Sequence, residues 1–198
     1  MGTLMKSNEY VVGLVGRAGL GKNTVAEQLI LASGLEGRVI SFAGSLKRFA
    51  WALGWNGKKD EKGRRLLQLL GTELGRECID EDIWVDKWEV ERNQMKRGGV
   101  VLFVSADVRF QNEVDHIRGL GGCIVRITGR ETSLNENLAS HPSENVEELP
   151  CDMEFDNSGS LEELPERVEE LWDQIRAFIE EKKYGPVTRK ASEESSCV

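Results

Sequence analysis

The stretch LVGRAGLGKNTVAEQLI, residues 14–30, sets the architecture of this chain. It contains the glycines and the lysine of the pattern G-x-x-x-x-G-K-[ST], in which the backbone N–H groups of a loop bind phosphate oxygens. The run YVVGLV before it is short and apolar, as in a buried strand, and TVAEQLILAS after it has apolar residues at helical spacing. A strand, a glycine loop and a helix in this order predict a site for the phosphates of a nucleotide.

The loop departs from the pattern at one position, because Asn23 stands where a hydroxyl usually binds magnesium, and Thr24 follows it. Mg²⁺ prefers oxygen ligands and keeps several waters, so the Asn23 carbonyl, the Thr24 hydroxyl or a bridging water could each serve. An alternative for Asn23 is a cap on the helix without metal contact. Lys22 is expected to reach the terminal phosphates. The residues predicted to bind ATP are Gly16, Ala18, Gly19, Gly21, Lys22, Asn23 and Thr24.

Composition excludes several classes of protein. The chain has 198 residues, which suits one domain with a sizeable core. A net charge of -8, from 34 acidic and 26 basic residues, argues against a protein that binds polymeric nucleic acid. The four cysteines are scattered and form no C-x-x-C pair, so neither a zinc site nor a disulfide framework is predicted. The sequence shows no signal peptide and no run that could span a bilayer, which predicts a cytoplasmic protein without a membrane partner.

The rest of the chain alternates between strand and helix patterns, which predicts an α/β fold with a parallel sheet and helices on both faces. The further predicted strands are RVISFAG, VVLFVSAD, CIVRITG and MEFDN. The further predicted helices are SLKRFAWALG, EKGRRLLQLLGTELGREC, EDIWVDKWEVERNQMKRGG, RFQNEVDHIRGLGG and LEELPERVEELWDQIRAFIEE. Ser160 and Glu163 have capping-box spacing at the last helix, although Pro165 then lies deep for a helix start.

We expect a single domain over residues 1–182 and a flexible tail over 183–198. The tail is polar and aperiodic. A polar connection at about 128–148 is long enough by loop-length priors to be a functional lid, and a disordered insert is the alternative.

Two polar positions follow predicted strands. In open α/β sheets ligands gather at the carboxyl ends of the strands, where Gly16 and Asp107 are both expected. An acidic residue at such an end can orient magnesium or its waters, so Asp107 joins Asn23 and Thr24 as a candidate for the metal site. A helix cap near Arg109 is the alternative role for Asp107.

Several segments together resemble one known family, the deoxynucleoside monophosphate kinases of bacteriophages, within the P-loop nucleoside monophosphate kinase superfamily. The segments are GRAGLGKNT, SFAGSLKRFAWALG, RRLLQLLGTELGRECIDEDIWV, VSADVRFQNEVDHIRGLGG and SHPSENVEELPCDMEFDNSGSLEEL. The resemblance implies a P-loop NTPase three-layer sandwich that transfers the ATP γ-phosphoryl group to a deoxynucleoside monophosphate, with Mg²⁺ as cofactor. It implies the host cytoplasm for a phage-encoded protein. Family members are often dimers, so a homodimer is an expectation by analogy.

The resemblance also assigns roles to individual positions. These kinases often carry a loop ending in GKDT, and Asn23 replaces its aspartate here. Arg109 resembles the arginine of the family's Asp-x-Arg motif, which faces bound phosphates, so Lys22 and Arg109 are the expected catalytic residues. A solvated arginine at the start of a helix is the alternative. Lys47 is similar to the lysine of the family's Phe-Ala-x-x-x-Lys pattern.

The acceptor monophosphate needs cations for its phosphate and a shaped pocket for its base. Its predicted binding residues are Lys47, Arg65, Gln68 and Thr72, the last three at i, i+3 and i+7 on one helix. Ordinary surface charge is the alternative for the two cations. Trp84 and Trp88 are expected in the core more than at the base. In or beside the lid, Arg130, His141 and Arg126 are the groups that could contact nucleotide, and a helix entry at Ser140 is the alternative for His141.

The expected mechanism is in-line transfer without a catalytic base, because the acceptor phosphate is already an adequate nucleophile. Two other functions stay open from the residues. One is a kinase of another small phosphorylated acceptor such as phosphomevalonate, whose family shares the Asp-x-Arg strand end. The other is a non-catalytic nucleotide-dependent switch.

Overall fold

A computed structural model describes residues 9–129 and 146–185. Its sheet has five parallel strands in the order β2-β3-β1-β4-β5. The strands are β1 (Tyr10–Val15), β2 (Gly37–Val39), β3 (Leu102–Ser105), β4 (Cys123–Thr128) and β5 (Met153–Asp156). Strand β1 lies at the centre because its run of apolar residues is buried on both faces, as parallel strands between two helical layers require.

Within the described part of the chain, six α-helices and one π-helical segment accompany the sheet. The helices are α1 (Lys22–Ser33), α2 (Gly44–Ala52), α3 (Glu61–Gln68), α4 (Ile83–Arg97), α5 (Gln111–Gly119) and α6 (Leu164–Tyr184). The π-helical segment, Leu69–Glu77, continues directly from α3.

The two faces of the sheet carry separate hydrophobic cores, since successive residues of a strand point to opposite faces. On one face Val12 and Leu14 of β1 pack with α1 and α6. On the other face Val11 and Val15 of β1 pack with α4 and α5. This arrangement confirms the predicted three-layer α/β sandwich with helices on both faces.

A third, smaller core lies beside the sheet. It contains Leu46 and Ala50 of α2, Leu70 of the π-helical segment and Trp84 of α4. We name residues 44–77 the acceptor arm, which consists of α2, α3, their connection and the π-helical segment. The arm therefore packs mainly on itself and on α4.

Both central tryptophans are core residues, as expected. The Trp84 Nε1 donates to the Gly71 carbonyl at 2.8 Å, and the Trp88 Nε1 donates to the Ser105 hydroxyl at 2.9 Å. The Trp88 ring also stacks on Phe42, with centroids 5.2 Å apart. Neither indole is placed to stack on a nucleotide base.

The prediction of one continuous α-helix from Glu61 to Cys78 is wrong, because the helix becomes π-helical at Leu69. Gly71 and Gly75 lie in the π-helical part, and glycine weakens the preference for α-helix. A side chain on Gly75 would lie 2.7 Å from the Trp84 ring, so the bare backbone packs there. This packing between distant segments carries no periodic signal in the sequence.

The entry to α6 explains the position of Pro165. The Ser160 hydroxyl accepts from the Glu163 N–H at 3.2 Å, and the Glu163 carboxylate accepts from the Ser160 N–H at 3.1 Å. These reciprocal bonds close a turn, and α6 begins after it at Leu164, which leaves Pro165 in the first helical turn where proline is tolerated.

The helix continues to Tyr184, two residues past the expected domain end at residue 182. The rest of the predicted tail and most of the predicted lid, with Arg130 and His141, lie outside the described residues. Within residues 9–129 and 146–185, no helix is long and apolar enough to cross a membrane. Among the described residues, Cys78, Cys123 and Cys151 are free thiols.

Candidate active site

The phosphate loop follows β1 at the carboxyl edge of the sheet. Gly16, Gly19 and Gly21 have φ angles of 139°, 88° and 77°, a region that L side chains rarely adopt. A Cβ atom on Gly16 would also lie 2.6 Å from the Ile127 carbonyl oxygen of the neighbouring strand. The three glycines are therefore required by the loop's conformation.

Helix α1 begins at the end of this loop, with Gly21 as its N-cap and without a side-chain cap hydrogen bond. Asn23 is the second residue of the helix, so the alternative that it caps α1 is wrong. Asn23 and Thr24 are both exposed at the helix N-terminus. The Lys22 ammonium lies over the loop and donates to the carbonyls of Gly16 at 2.7 Å and Arg17 at 2.6 Å.

Asn157, at the carboxyl end of the edge strand β5, holds the phosphate loop through a hydrogen bond. It follows β5, is 3% exposed, and donates from Nδ2 to the Leu20 carbonyl at 2.8 Å. Its own N–H donates to the Thr128 carbonyl at 2.9 Å. Sequence reasoning noted the strand end MEFDN but gave Asn157 no role, because its partner lies 137 residues away.

Asp107 lies at the carboxyl end of β3, as predicted, but its carboxylate is bound to the start of α2. Oδ2 accepts from the Ser41 hydroxyl at 2.5 Å and the Ala43 N–H at 3.1 Å, and Oδ1 accepts from the Phe42 N–H at 3.1 Å. The alternative of a cap near Arg109 is therefore wrong. The carboxylate instead complements the N-terminus of α2, because β2 and β3 are neighbours and their carboxyl ends meet.

Arg109 lies in the turn between β3 and α5, two residues before the helix. Its N–H donates to Oε2 of Glu113 at 2.8 Å. Burial raises the pKa of Glu113 to about 7, against the opposing effects of the Arg109 N–H and the Arg76 guanidinium. Burial also lowers the pKa of Arg76, so for both partners desolvation outweighs the attraction within the pair. Sequence reasoning did not single out Arg76 or Glu113.

A cluster of cations lies between the acceptor arm and the β3–α5 turn. The residue that identifies it is Lys59, in the connection before α3, which the sequence analysis overlooked. Desolvation is the largest cause that lowers the pKa of the Lys59 ammonium, although the residue is exposed as a whole. The charges of Lys47, Arg109 and Arg64 lower it further, and the Asp107 carboxylate opposes them.

Lys47 and Arg109 therefore both lie close enough to Lys59 for their charges to affect its pKa. The Arg64 Nε donates to the Lys59 carbonyl at 2.9 Å and so fixes the loop that carries Lys59. Lys59 gives no periodic signal because it lies in an irregular loop between Trp55 and the start of α3.

The other predicted acceptor residues are arranged differently from expectation. Arg65 is exposed and forms an ion pair with Glu73 at 3.2 Å. Gln68 is the last residue of α3, and Thr72 lies in the π-helical segment. The shared-face argument assumed a single α-helix from Arg65 to Thr72, and the change of helix type removes that basis.

Arg126, on β4, bonds backbone carbonyls of the segment before β5. Its guanidinium donates to the Leu149 carbonyl at 2.5 Å and to the Val146 carbonyl at 3.4 Å, so it holds the chain that returns from residues 130–145. Beside it, Arg17 of the phosphate loop pairs with Glu147 at 2.8 Å. The loop and the far end of the predicted lid are therefore in direct contact.

A cavity of about 420 Å³ lies next to the β3–α5 turn. It is lined by Arg76, Glu77, Glu81, Phe110, Gln111 and Asn112, so none of the four predicted acceptor residues borders it. The described residues contain no preformed group of three or more His, Cys, Asp or Glu side chains for a metal ion.

The central parallel sheet, the glycine loop at its carboxyl edge and the cations near the β3–α5 turn are the features of a P-loop phosphotransferase. A family model described as "Deoxynucleotide monophosphate kinase" matches residues 52–168. The chain belongs to this deoxynucleotide monophosphate kinase family, and it is an ATP-dependent kinase of a nucleoside monophosphate. The phosphate loop lies before the matched range and so supports this assignment separately.

Two viral relatives are named as deoxynucleotide monophosphate kinases. The protein from Acanthamoeba polyphaga mimivirus is 30% identical over 68% of this chain and 80% of its own length. The protein from Enterobacteria phage T4 is 28% identical over 51% of this chain, which spans 41% of that relative. These matches confirm the predicted family and do not favour a phosphomevalonate kinase or a non-catalytic switch.

Among solved structures, the chain is similar to shikimate kinase from Aquifex aeolicus. The identity is 12% and the TM-score 0.42, over 83% of this chain and 98% of that one. A likeness at this level carries no argument about function.

Proposed function

We propose that this protein transfers the γ-phosphoryl group of Mg-ATP to the 5'-phosphate of a deoxynucleoside monophosphate, giving ADP and a deoxynucleoside diphosphate. The observation that carries the proposal is the pairing of two features at one sheet edge. The phosphate loop with Lys22 suits the donor, and the cluster of Lys47, Lys59 and Arg109 suits the acceptor phosphate.

On the donor side, the residues proposed to bind ATP are those of residues 16–24 given by the sequence. The uncapped N-terminus of α1 offers N–H groups and a partial positive charge to the phosphates. Lys22 would exchange the Gly16 and Arg17 carbonyls for phosphate oxygens, a replacement that strengthens its hydrogen bonds because the new acceptors are charged.

Magnesium fits the oxygen donors near the loop. The Thr24 hydroxyl and the Asn23 carbonyl are exposed at the start of α1, and either could hold the ion. Bound there, Mg²⁺ neutralises the charge of the ATP phosphates. Asp107 was also predicted to face the metal, but its oxygens are bound to Ser41, Phe42 and Ala43, so its proposed contact is with the metal's water shell.

On the acceptor side, a phosphate dianion relieves the repulsion among the clustered cations. Lys59 has its pKa lowered by burial and by Lys47, Arg109 and Arg64. A phosphate dianion between these groups would offset the repulsion from the neighbouring cations, raise the pKa of Lys59 and so favour its charged ammonium form. Gln68 and Thr72 are proposed to contact the nucleoside, and Arg65 contributes only if it leaves Glu73.

Catalysis rests on positioning and on charge neutralisation rather than on a base. Lys22 and Arg109 are the proposed catalytic residues, because each would bind oxygens of the transferring group. The guanidinium of Arg109 can donate two parallel hydrogen bonds to two phosphate oxygens. Closure of the lid, residues 128–148 with Arg130 and His141, would exclude water and limit hydrolysis of ATP.

The test is release of ADP from Mg-ATP with a panel of deoxy- and ribonucleoside monophosphates, plus phosphomevalonate. We expect at least one deoxynucleotide to raise ADP release far above the rate without acceptor. No stimulation by any nucleotide would refute the proposal, and stimulation by phosphomevalonate alone would support the other kinase.

The variant Lys22→Ala tests the donor site. It should abolish most transfer while the fold stays intact, because the contacts of the Lys22 ammonium are to loop carbonyls rather than to the core. Normal turnover in a folded Lys22→Ala protein would show that the loop does not bind the donor.

We further propose a homodimer in the host cytoplasm, with a kinase domain that extends to the end of α6 at Tyr184 rather than to residue 182. The support is analogy with the family. Sedimentation equilibrium distinguishes monomer from dimer, and a purely monomeric protein at assay concentrations would refute that part.

A further inference from the structure

A buried ion pair joins the acceptor arm to the turn that carries Arg109. Nη2 of Arg76 lies 2.6 Å from Oε1 of Glu113, and the two side chains are 7% and 4% exposed. Neither residue belongs to the proposed phosphate contacts. Burying two charges has a high desolvation cost, so the pair calls for a role beyond stability.

Glu113 fixes the backbone at Arg109. Its Oε2 accepts from the N–H groups of Arg109 at 2.8 Å and Phe110 at 3.3 Å, while Oε1 accepts from Arg76. One carboxylate therefore closes the turn and connects it to another segment.

Arg76 makes the connection from the other side. Its Nη1 donates to the Glu81 carbonyl at 2.8 Å and to the Asn112 side chain at 3.2 Å. Its guanidinium also lies 3.8 Å from the centre of the Phe110 ring. Arg76 belongs to the π-helical segment, so these contacts fasten the end of the acceptor arm to the start of α5.

Phe110 and Arg109 have different partners. The Phe110 ring lies against the Arg76 guanidinium, 3.8 Å from the ring centre. The Arg109 charge contributes to lowering the pKa of Lys59 in the cation cluster. By accepting from both backbone N–H groups, Glu113 fixes the turn from which these two side chains extend.

We infer that Arg76 and Glu113 are positioning residues for phosphoryl transfer, which set Arg109 relative to the acceptor arm. They act through Arg109 and do not touch substrate. The inference rests on the proposed function, in which Arg109 binds the transferring group.

A purely structural ion pair makes a different prediction. Replacing both partners of a buried pair by apolar residues of similar volume is often neutral or stabilising. The double variant Arg76→Met/Glu113→Leu should therefore fold, yet leucine cannot accept the Arg109 N–H. If the pair only supports the core, this variant retains activity.

The experiment compares kcat, both KM values and the melting temperature of the parent and the double variant, each with and without Arg109→Ala. Single-turnover assays with enzyme in excess measure the slow Arg109→Ala proteins. In the parent background we expect kcat to fall by about 10²-fold with little change in ATP KM, as for a small misplacement of a catalytic group. In the Arg109→Ala background the same double substitution should change kcat by less than about threefold, since coupled residues are not additive.

Glu113→Gln is the conservative variant and the substitute if the double variant does not fold. Its amide oxygen can still accept from the Arg109 N–H, so Glu113→Gln should lower kcat less than the roughly 10²-fold expected for the double variant. The decrease in kcat should also disappear in the Arg109→Ala background. Equal fold-losses with and without Arg109, or full kcat in a folded double variant, would overturn the inference while the proposed function stands. A parent enzyme without acceptor-dependent ADP release would overturn the proposed function and this inference with it.

Discussion

Asn157→Ala should weaken the binding of ATP without affecting the acceptor. The side chain is buried, and its Nδ2 donates to the Leu20 carbonyl at 2.8 Å, directly before Gly21 and Lys22. A Cβ atom on Gly21 would lie 2.6 Å from the same Nδ2 atom, so the amide packs tightly against the loop. Asn157 therefore connects the end of β5 to the phosphate loop and holds the loop in its conformation.

The size of the effect follows from this hydrogen bond. A buried carbonyl that loses its donor costs about 1–3 kcal/mol. Taking about 2 kcal/mol, the melting temperature of a chain of this size falls by about 4–8 °C. If ATP binding must restore the loop, up to the same free energy is lost from binding, which is at most about thirtyfold in the dissociation constant.

Titration of ATP by calorimetry, with thermal unfolding measured in parallel, tests both numbers. Asn157→Asp keeps the volume but turns an oxygen toward the Leu20 carbonyl, so it should be as harmful as alanine. Asn93→Ala is the control, because the Asn93 amide bonds Glu89 at 2.9 Å on α4, away from the loop. Parent-like ATP affinity in Asn157→Ala, or a fully active Asn157→Asp enzyme, would refute the reasoning.

Three further predictions concern the metal, the transferring group and pH. Thr24→Val should raise the magnesium concentration for half-maximal rate, and an unchanged titration would favour Asn23 or water as the ligand. Arg109→Lys should lower kcat by about 10³-fold with little change in ATP KM, since lysine cannot form the parallel pair of bonds, and unaltered kcat would make it a solvated surface residue. Burial raises the pKa of Glu113 from 4.5 to about 7, so its stabilising contribution is complete below pH 4.5 and declines as pH rises through 7. Denaturant unfolding should show a loss on the order of 3 kcal/mol over this window that Glu113→Gln lacks, and parallel pH curves for the two proteins would contradict it.

The sheet and the donor loop could be predicted because their signals are local. Strand β1 is apolar throughout, since it is buried on both faces, and the glycines of the loop follow it at once. The Asn23 amide and the Thr24 hydroxyl at the start of α1 are also adjacent in sequence. For these elements, neighbouring residues contain most of the physical information.

The acceptor half could not be predicted as well, because its contacts join distant segments. Asp107 meets Ser41 across 66 residues, which only the order of the strands makes close. The π-helical turn depends on Gly75 packing against Trp84, and Lys59 lies in an irregular loop. None of these produces a periodic pattern or a short motif.

The acceptor arm is fastened to the sheet edge at two places that lie outside the donor loop. At its base, Asp107 binds the backbone just before α2, and at its end Arg76 binds Glu113. Its own core meets the remaining chain mainly through Trp84. We therefore expect that an arm from another member of the family can be exchanged as a unit, provided that it keeps the Arg48–Glu91 ion pair to α4, an arginine at its last turn and apolar partners for Trp84. Such chimaeras would separate the evolution of acceptor choice from that of ATP use, because the phosphate loop and its Asn157 support stay untouched.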